Sequence, residues 1–202
     1  MTTVATEHRD DYGSKMGLWL FLFSELILFG GMFIIYAVYR FIHPEEFRLA
    51  AAELDTFIGT VNTIILLTSS LSVALSIAAI RQGKKYLSIA LVATTIILAS
   101  VFLLNKYFEW SHKISSGIYP RSPALVNKPA GEVLYFGLYY VMTGLHAVHV
   151  LIGMGVLAVM AVFIAKGKIH SGSYVRLEAG GLYWHLVDII WIFLFPLFYL
   201  IQ

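Results

Sequence analysis

Residues 15–33 read KMGLWLFLFSELILFGGMF. No polar residue recurs at a period of two or of three to four, so this is neither a half-buried strand nor the amphipathic helix of a soluble surface. A continuous apolar run of this length is a membrane-crossing helix. One carboxylic acid, Glu25, interrupts it, and the nearest formal charges are Lys15 and Arg40. Four more runs of the same kind follow. Residues 56–80 and 86–105 carry no charge, 133–165 carry no Asp, Glu, Lys or Arg but hold His146 and His149, and 179–202 hold His185 and Asp188. The sequence therefore predicts an all-α, polytopic membrane protein. Five transmembrane helices, at about 16–39, 56–80, 86–107, 134–164 and 180–201, form one bundle and one membrane domain over 1–202.

The bulk numbers agree. The chain has 202 residues, of which 59% are hydrophobic and 13% charged. Soluble domains are nearer half apolar and a quarter charged. There is no cysteine, which excludes disulfides, iron–sulfur clusters and thiolate metal sites made by this chain. The net charge is +2, and no basic run points to nucleic acid. Residues 1–15 form a mixed polar tail, not the basic start of a signal peptide, so the first span is expected to be a permanent anchor.

Orientation follows the loop cations. One side collects Arg9, Lys15, Arg81, Lys84, Lys85, Lys166, Lys168 and Arg176; the other collects Arg40, Arg48, Lys106, Lys113, Arg121 and Lys128. The short basic turn RQGKK outweighs the longer loops, which acids dilute. This places the N-terminus inside and the C-terminus outside. HPEE, at 43–46, starts a short interfacial helix, and YPRSPALVNKPAGE, at 119–132, is an irregular loop.

An acid at the centre of a membrane helix costs about 2.5–3.5 kcal/mol. Glu25 must face protein, bound water or a headgroup defect. It is either a protonated acid hydrogen-bonded to a neighbouring helix or part of proton or lipid handling. TGLHAVHVLIG, at 143–153, puts His146 and His149 on one helix face. Two residues one turn apart suit a hydrogen-bonded pair better than bis-histidine haem ligation. Structural polar packing, a proton relay and metal or haem binding all remain open. YWHLVDIIW puts His185 and Asp188 on one face beside Trp184 and Trp191. A contact from His149 to that face is a further expectation. NTIILLTSSLSVALS is a close-packing face. KYFEWSHKI, with Glu109, Trp110 and His112, reads as an interfacial belt. Gly17, Gly30 and Gly31 would let another helix approach closely. No nucleophile with a base, no phosphate loop and no complete metal shell emerges.

The motifs GLWLFLFSELILFGGMF, NTIILLTSSLSVALS, FEWSHKI, TGLHAVHVLIG and EAGGLYWHLVDIIWIFLFPLFYL occur in this order. In that order, from Lys15 to the C-terminus, the chain resembles subunit III of the haem–copper oxidases, in a short, five-helix bacterial form. The resemblance implies an all-helical, non-catalytic subunit of a cytochrome c oxidase in the bacterial inner membrane. It would lie beside catalytic subunit I, with subunit II and others, and bind no cofactor itself. The haems and copper would sit in the partner subunits. It also implies a part in assembly, in retaining phospholipid and in sustained proton uptake by subunit I. Glu25, His146, His149, His185 and Asp188 match the intramembrane polar residues of the family motifs, and Glu109, His112, Glu178 and Trp184 the interface residues of those motifs. The long form's two leading helices, one wall of its lipid cleft, have no counterpart here. Five-helix members also serve quinol oxidases and accompany nitric oxide reductases. Readings of another class are a small cytochrome b-like haem protein and an independent transporter.

Overall fold

The computed structural model describes residues 11–120 and 122–201. Most of the polar tail, with Arg9, and Arg121 among the loop cations lie outside the described residues. Among the described residues seven helices follow one another: α1 Asp11–Ile42, α2 Pro44–Ala51, α3 Thr56–Arg81, α4 Lys85–Ser115, α5 Pro123–Val126, α6 Ala130–Ala165 and α7 Val175–Tyr199. Among the described residues the only extended pairing is an isolated bridge, His170 to Ser173. Five of the helices, α1, α3, α4, α6 and α7, are long and apolar enough to cross a membrane. The short helix expected from HPEE is α2, and the expected irregular loop contains the single turn α5.

The fold is a layered bundle. The α3–α4 hairpin packs along its length, α7 lies between α3 and α6, and α4 closes against α6. The hairpin turn is forced by its sequence. Gly83 adopts φ +76°, which only glycine takes without strain. There the amide of Lys84 reaches the carbonyl of Ala79 at 2.9 Å and that of Gly83 reaches Ile80 at 3.0 Å. That is the paired-bond stop that closes many helices. At the start of α3, the Asp55 carboxylate accepts from the amides of Phe57 at 2.8 Å and Ile58 at 3.2 Å. The bundle thus has a basic-turn end, marked by Arg81, Lys84 and Lys85, and an opposite end, where α1 gives way to α2.

Small residues set the helix spacing. A Cβ on Gly153 of α6 would stand 2.8 Å from the Trp184 ring of α7. One on Gly181 of α7 would stand 2.8 Å from Ile77 of α3. Gly17, Gly30 and Gly31 differ, because nothing lies within 4 Å of a Cβ built there. The close approach expected at these three positions is not made among the described residues. α1 is held along its seams with α6 and α7 and, at its end, against α2, and 11% of its apolar stretch is buried, against 56% for α7. It leaves Trp19, Phe23, Ile27, Ile34 and Phe41 uncovered.

The third crossing departs most from expectation. The predicted span stops at 107, but α4 continues to Ser115. Lys106, Glu109 and Lys113 share one helix face, and all three are buried. Charges that read as the end of a span are instead turned inward.

Candidate functional site: polar groups between the helices

The Glu25 carboxylate meets the His149 imidazole across the α1–α6 seam, Oε2 to Nε2 at 2.7 Å. The side chains are only 14% and 10% exposed. The other ring nitrogen, Nδ1, lies 2.8 Å from the carbonyl oxygen of Leu145. A carbonyl can only accept, so Nδ1 carries the hydrogen. The contact to Glu25 then contains one proton, either on the acid, donated to a neutral ring, or on the ring, donated to a carboxylate. In both forms the pair is neutral overall. This accounts for an acid in the middle of α1. Phe29 packs edge-on against the imidazole with ring centroids 5.2 Å apart, and the Tyr183 hydroxyl donates to the His149 carbonyl at 3.3 Å.

The contact expected between His149 and the His185–Asp188 face does not form, because His149 is committed to Glu25. Nor do the two histidines of α6 bond each other. His146 is fully buried, between Phe102 and Trp191, and neither ring nitrogen has a hydrogen-bond partner among the described residues. Residues 146 and 149 are one turn apart, and their rings leave the helix toward different neighbours.

A second cluster closes the end opposite the basic turn. Lys106 Nζ donates to Glu109 Oε2 at 3.2 Å, to the Tyr139 hydroxyl at 2.9 Å and to the Tyr199 hydroxyl at 2.8 Å. Both hydroxyls donate in turn to Glu109 Oε1, Tyr199 at 2.6 Å. All three ammonium protons are used and the charges cancel. Glu109 is therefore part of a buried network, not of an interfacial belt. His112, three residues on, is exposed near the helix end. Lys106, Tyr139 and Tyr199 were missed by sequence reasoning. The i, i+3 spacing of Lys106 and Glu109 was a usable signal, whereas no pattern in the sequence points to the Tyr199 hydroxyl.

At the basic-turn end Arg81 of α3 pairs with Glu178 of α7. About two turns further along α7, Trp184 Nε1 donates to Ser69 Oγ at 3.0 Å, and His185 Nδ1 lies 2.6 Å from Ser70 Oγ. Asp188 lies deeper and is 2% exposed. Among the described residues no three His, Asp or Glu side chains are grouped so as to hold a metal ion.

Two grooves flank α1. One, of about 610 Å³, runs between α1 and α7 among Phe33, Tyr36 and Phe193, with Arg40 at its edge. The other, of about 370 Å³, lies toward the basic-turn end among Phe21, Met160 and Tyr183, with Arg176 at its edge.

The sequence from 3 to 202 matches the family model described as cytochrome c oxidase subunit III. The protein from Thermostichus vulcanus named cytochrome c oxidase subunit 3 is 31% identical, over 99% of this chain and 94% of its own length. A probable quinol oxidase subunit 3 from Staphylococcus haemolyticus is 26% identical over 98% of this chain and 94% of its own. A protein from Aeropyrum pernix named heme-copper oxidase subunit I+III is 30% identical over 93% of this chain, which spans 22% of that longer protein. Five apolar crossings, a neutralised acid on the first of them and this full-length match place the chain in the cytochrome c oxidase subunit III family, as a multi-pass membrane subunit of a haem–copper oxidase.

Proposed function

We propose that the chain is a non-catalytic subunit that steadies catalytic subunit I and keeps its proton supply intact during oxygen reduction. In this reading it lies in a bacterial plasma membrane with the N-terminus inside and binds no haem or copper itself. The observation that carries the reading is the Glu25–His149 pair. It places one exchangeable proton in the α1–α6 seam, beside an α1 face that the chain's own helices leave uncovered. Subunits I and III are joined in the name of the Aeropyrum pernix relative, which supports a place for this chain against subunit I. The short cationic turn at Arg81–Lys85 supports the orientation. The two grooves along α1, apolar with an arginine at the edge, suit acyl chains with phosphate headgroups, which supports lipid retention. The matches to named cytochrome c oxidase subunits and the FEWSHKI segment favour cytochrome c as the electron donor of the complex.

The test is a purified oxidase carrying Glu25→Ala or His149→Ala in this chain. The expected result is an unchanged haem spectrum and a near-normal initial rate of oxygen consumption, followed by faster loss of activity during turnover. A missing haem band would reassign His149 as a ligand. Full activity and lifetime in an oxidase stripped of this chain would remove the supporting role altogether.

A further inference from the structure

The end of the bundle opposite the basic turn carries a cavity of about 470 Å³ between the start of α3 and the end of α4. Phe57 and Val61 of α3 and Phe108 of α4 give it an apolar floor. Both phenylalanines are uncovered. Ile64 and Leu104, three and four residues away along the same helix faces, continue the uncovered apolar surface toward the membrane centre. On the rim, two groups have bonding capacity to spare. Lys113 is 9% exposed, yet its ammonium donates only to the Glu53 carbonyl. The carboxylates nearby are committed elsewhere, Glu53 to Lys128 and Glu109 to Lys106. Among the described residues Lys113 therefore has no ion-pair partner, and two of its three protons are unspent. Asp55 is its counterpart. Its Oδ1 accepts from the amides of Phe57 and Ile58, and its Oδ2 accepts from nothing among the described residues. Asp55 lies two positions past the carbonyl that holds Lys113, so the spare cation and the spare carboxylate oxygen share one rim. His112 adds a further polar group beside Lys113.

We propose that this cavity seats one phosphatidylethanolamine molecule from the leaflet at that end, with its phosphate on Lys113 and His112, its ammonium on Asp55 Oδ2 and an acyl chain along Val61, Ile64 and Leu104. The charges select the headgroup. Glu53, Asp55 and Glu109 all line the cavity, so a lipid whose headgroup carries only a phosphate meets carboxylates that nothing on it answers. A choline headgroup has a positive charge but no N–H to donate to Asp55. A primary ammonium supplies both the charge and the hydrogen bond, and such charge-assisted bonds are the strong ones. The site is separate from the grooves along α1 and depends on none of the roles proposed for them or for Glu25.

Native mass spectrometry of the purified complex tests it, after reconstitution in vesicles of equal parts phosphatidylethanolamine, phosphatidylglycerol and phosphatidylcholine. The wild type should retain phosphatidylethanolamine through detergent extraction in about tenfold excess over either competitor. Asp55→Asn keeps an oxygen to cap α3 but loses the negative charge, and should abolish that preference. Lys113→Gln should lose the retained lipid. Lys113→Arg keeps a cation for both the phosphate and the Glu53 carbonyl, and should hold it. Arg40→Gln and Arg176→Gln, at the grooves along α1, should leave the preference unchanged. Retained lipid in the proportions of the vesicles, or a preference that survives Asp55→Asn or Lys113→Gln, would overturn the proposal. So would a preference lost only in the two arginine variants, which would move the lipid to α1.

Discussion

Glu25 and His149 hold one proton between them, so the two positions do not tolerate the same substitutions. In Glu25→Gln the amide N–H can donate to His149 Nε2, with Nδ1 still bonded to Leu145, and the melting temperature of the complex should hardly move. Glu25→Ala leaves a buried ring nitrogen unpaired and should cost about 1–3 kcal/mol, read as a lower melting temperature. Lys106 is a harsher case. Lys106→Met strands the Glu109 carboxylate between two tyrosines and should cost about 3–5 kcal/mol. Adding Glu109→Gln removes the stranded charge. The double variant should therefore melt higher than Lys106→Met alone, which a double-mutant cycle by thermal denaturation would measure. Glu25 was legible as an expensive acid needing a partner, because a lone charge in an apolar run announces its own cost. Its partner was not legible. His149 lies 124 positions away in sequence, and α6 offered two histidines on nearly the same face. Which one turns toward α1 depends on helix rotation about its axis, a quantity set by packing against Trp184 and Phe102 and invisible in a single sequence.

The last carbonyls of any helix lack partners within it, and in a membrane no bulk water replaces them. α7 solves this with three hydroxyls from three other helices. Tyr36 of α1 donates to the Leu197 carbonyl, Tyr135 of α6 to Phe198 at 2.6 Å and Thr56 of α3 to Tyr199 at 3.0 Å. Tyr135→Phe should leave the Phe198 carbonyl bare and lower stability by about 1–3 kcal/mol, with faster amide exchange confined to the last turn of α7. The loop before α6 is anchored differently. Burial lowers the proton affinity of Lys128, but its bonds to Glu132 and Glu53 outweigh burial and hold it above the ordinary lysine value. A lysine so raised stabilises the fold fully below its unfolded pKa, and the effect is lost as pH rises through the folded value. Proteolysis of the 116–129 loop should therefore be slow at neutral pH and accelerate in strong alkali, and in Lys128→Met it should be fast at both. The number and type of crossings were legible because each apolar run is long and unbroken. The end of α4 was not, because Lys106, Glu109 and Lys113 resemble an interface when counted and a buried face only when projected at 3.6 residues per turn.

At the scale of the whole molecule the two faces of the bundle are unlike. The interior between α3, α4, α6 and α7 is filled by aromatic packing, by the Lys106 network and by glycines pressed against rings. α1 closes nothing on its outer side. Gly31 sits there with open space around it, next to uncovered Ile34 and Ile35. A small residue set among large apolar ones on an exposed membrane helix allows another helix to come near, and burial inside the chain gives this glycine no reason to exist. Gly153→Ala and Gly31→Leu therefore separate two kinds of glycine. Gly153→Ala drives a methyl into the Trp184 ring and should cost about 1–3 kcal/mol whether or not partners are bound. A Cβ at Gly31 has no neighbour within 4 Å among the described residues and leucine adds helix propensity, so the isolated subunit should melt no lower than the wild type. If subunit I or another oxidase helix lies against α1, the leucine holds the helices apart, and less of this chain should stay with the oxidase through detergent purification. Full retention of the Gly31→Leu chain would mean that lipid alone covers this face, and the contact with subunit I would have to be sought on the α3–α4 side.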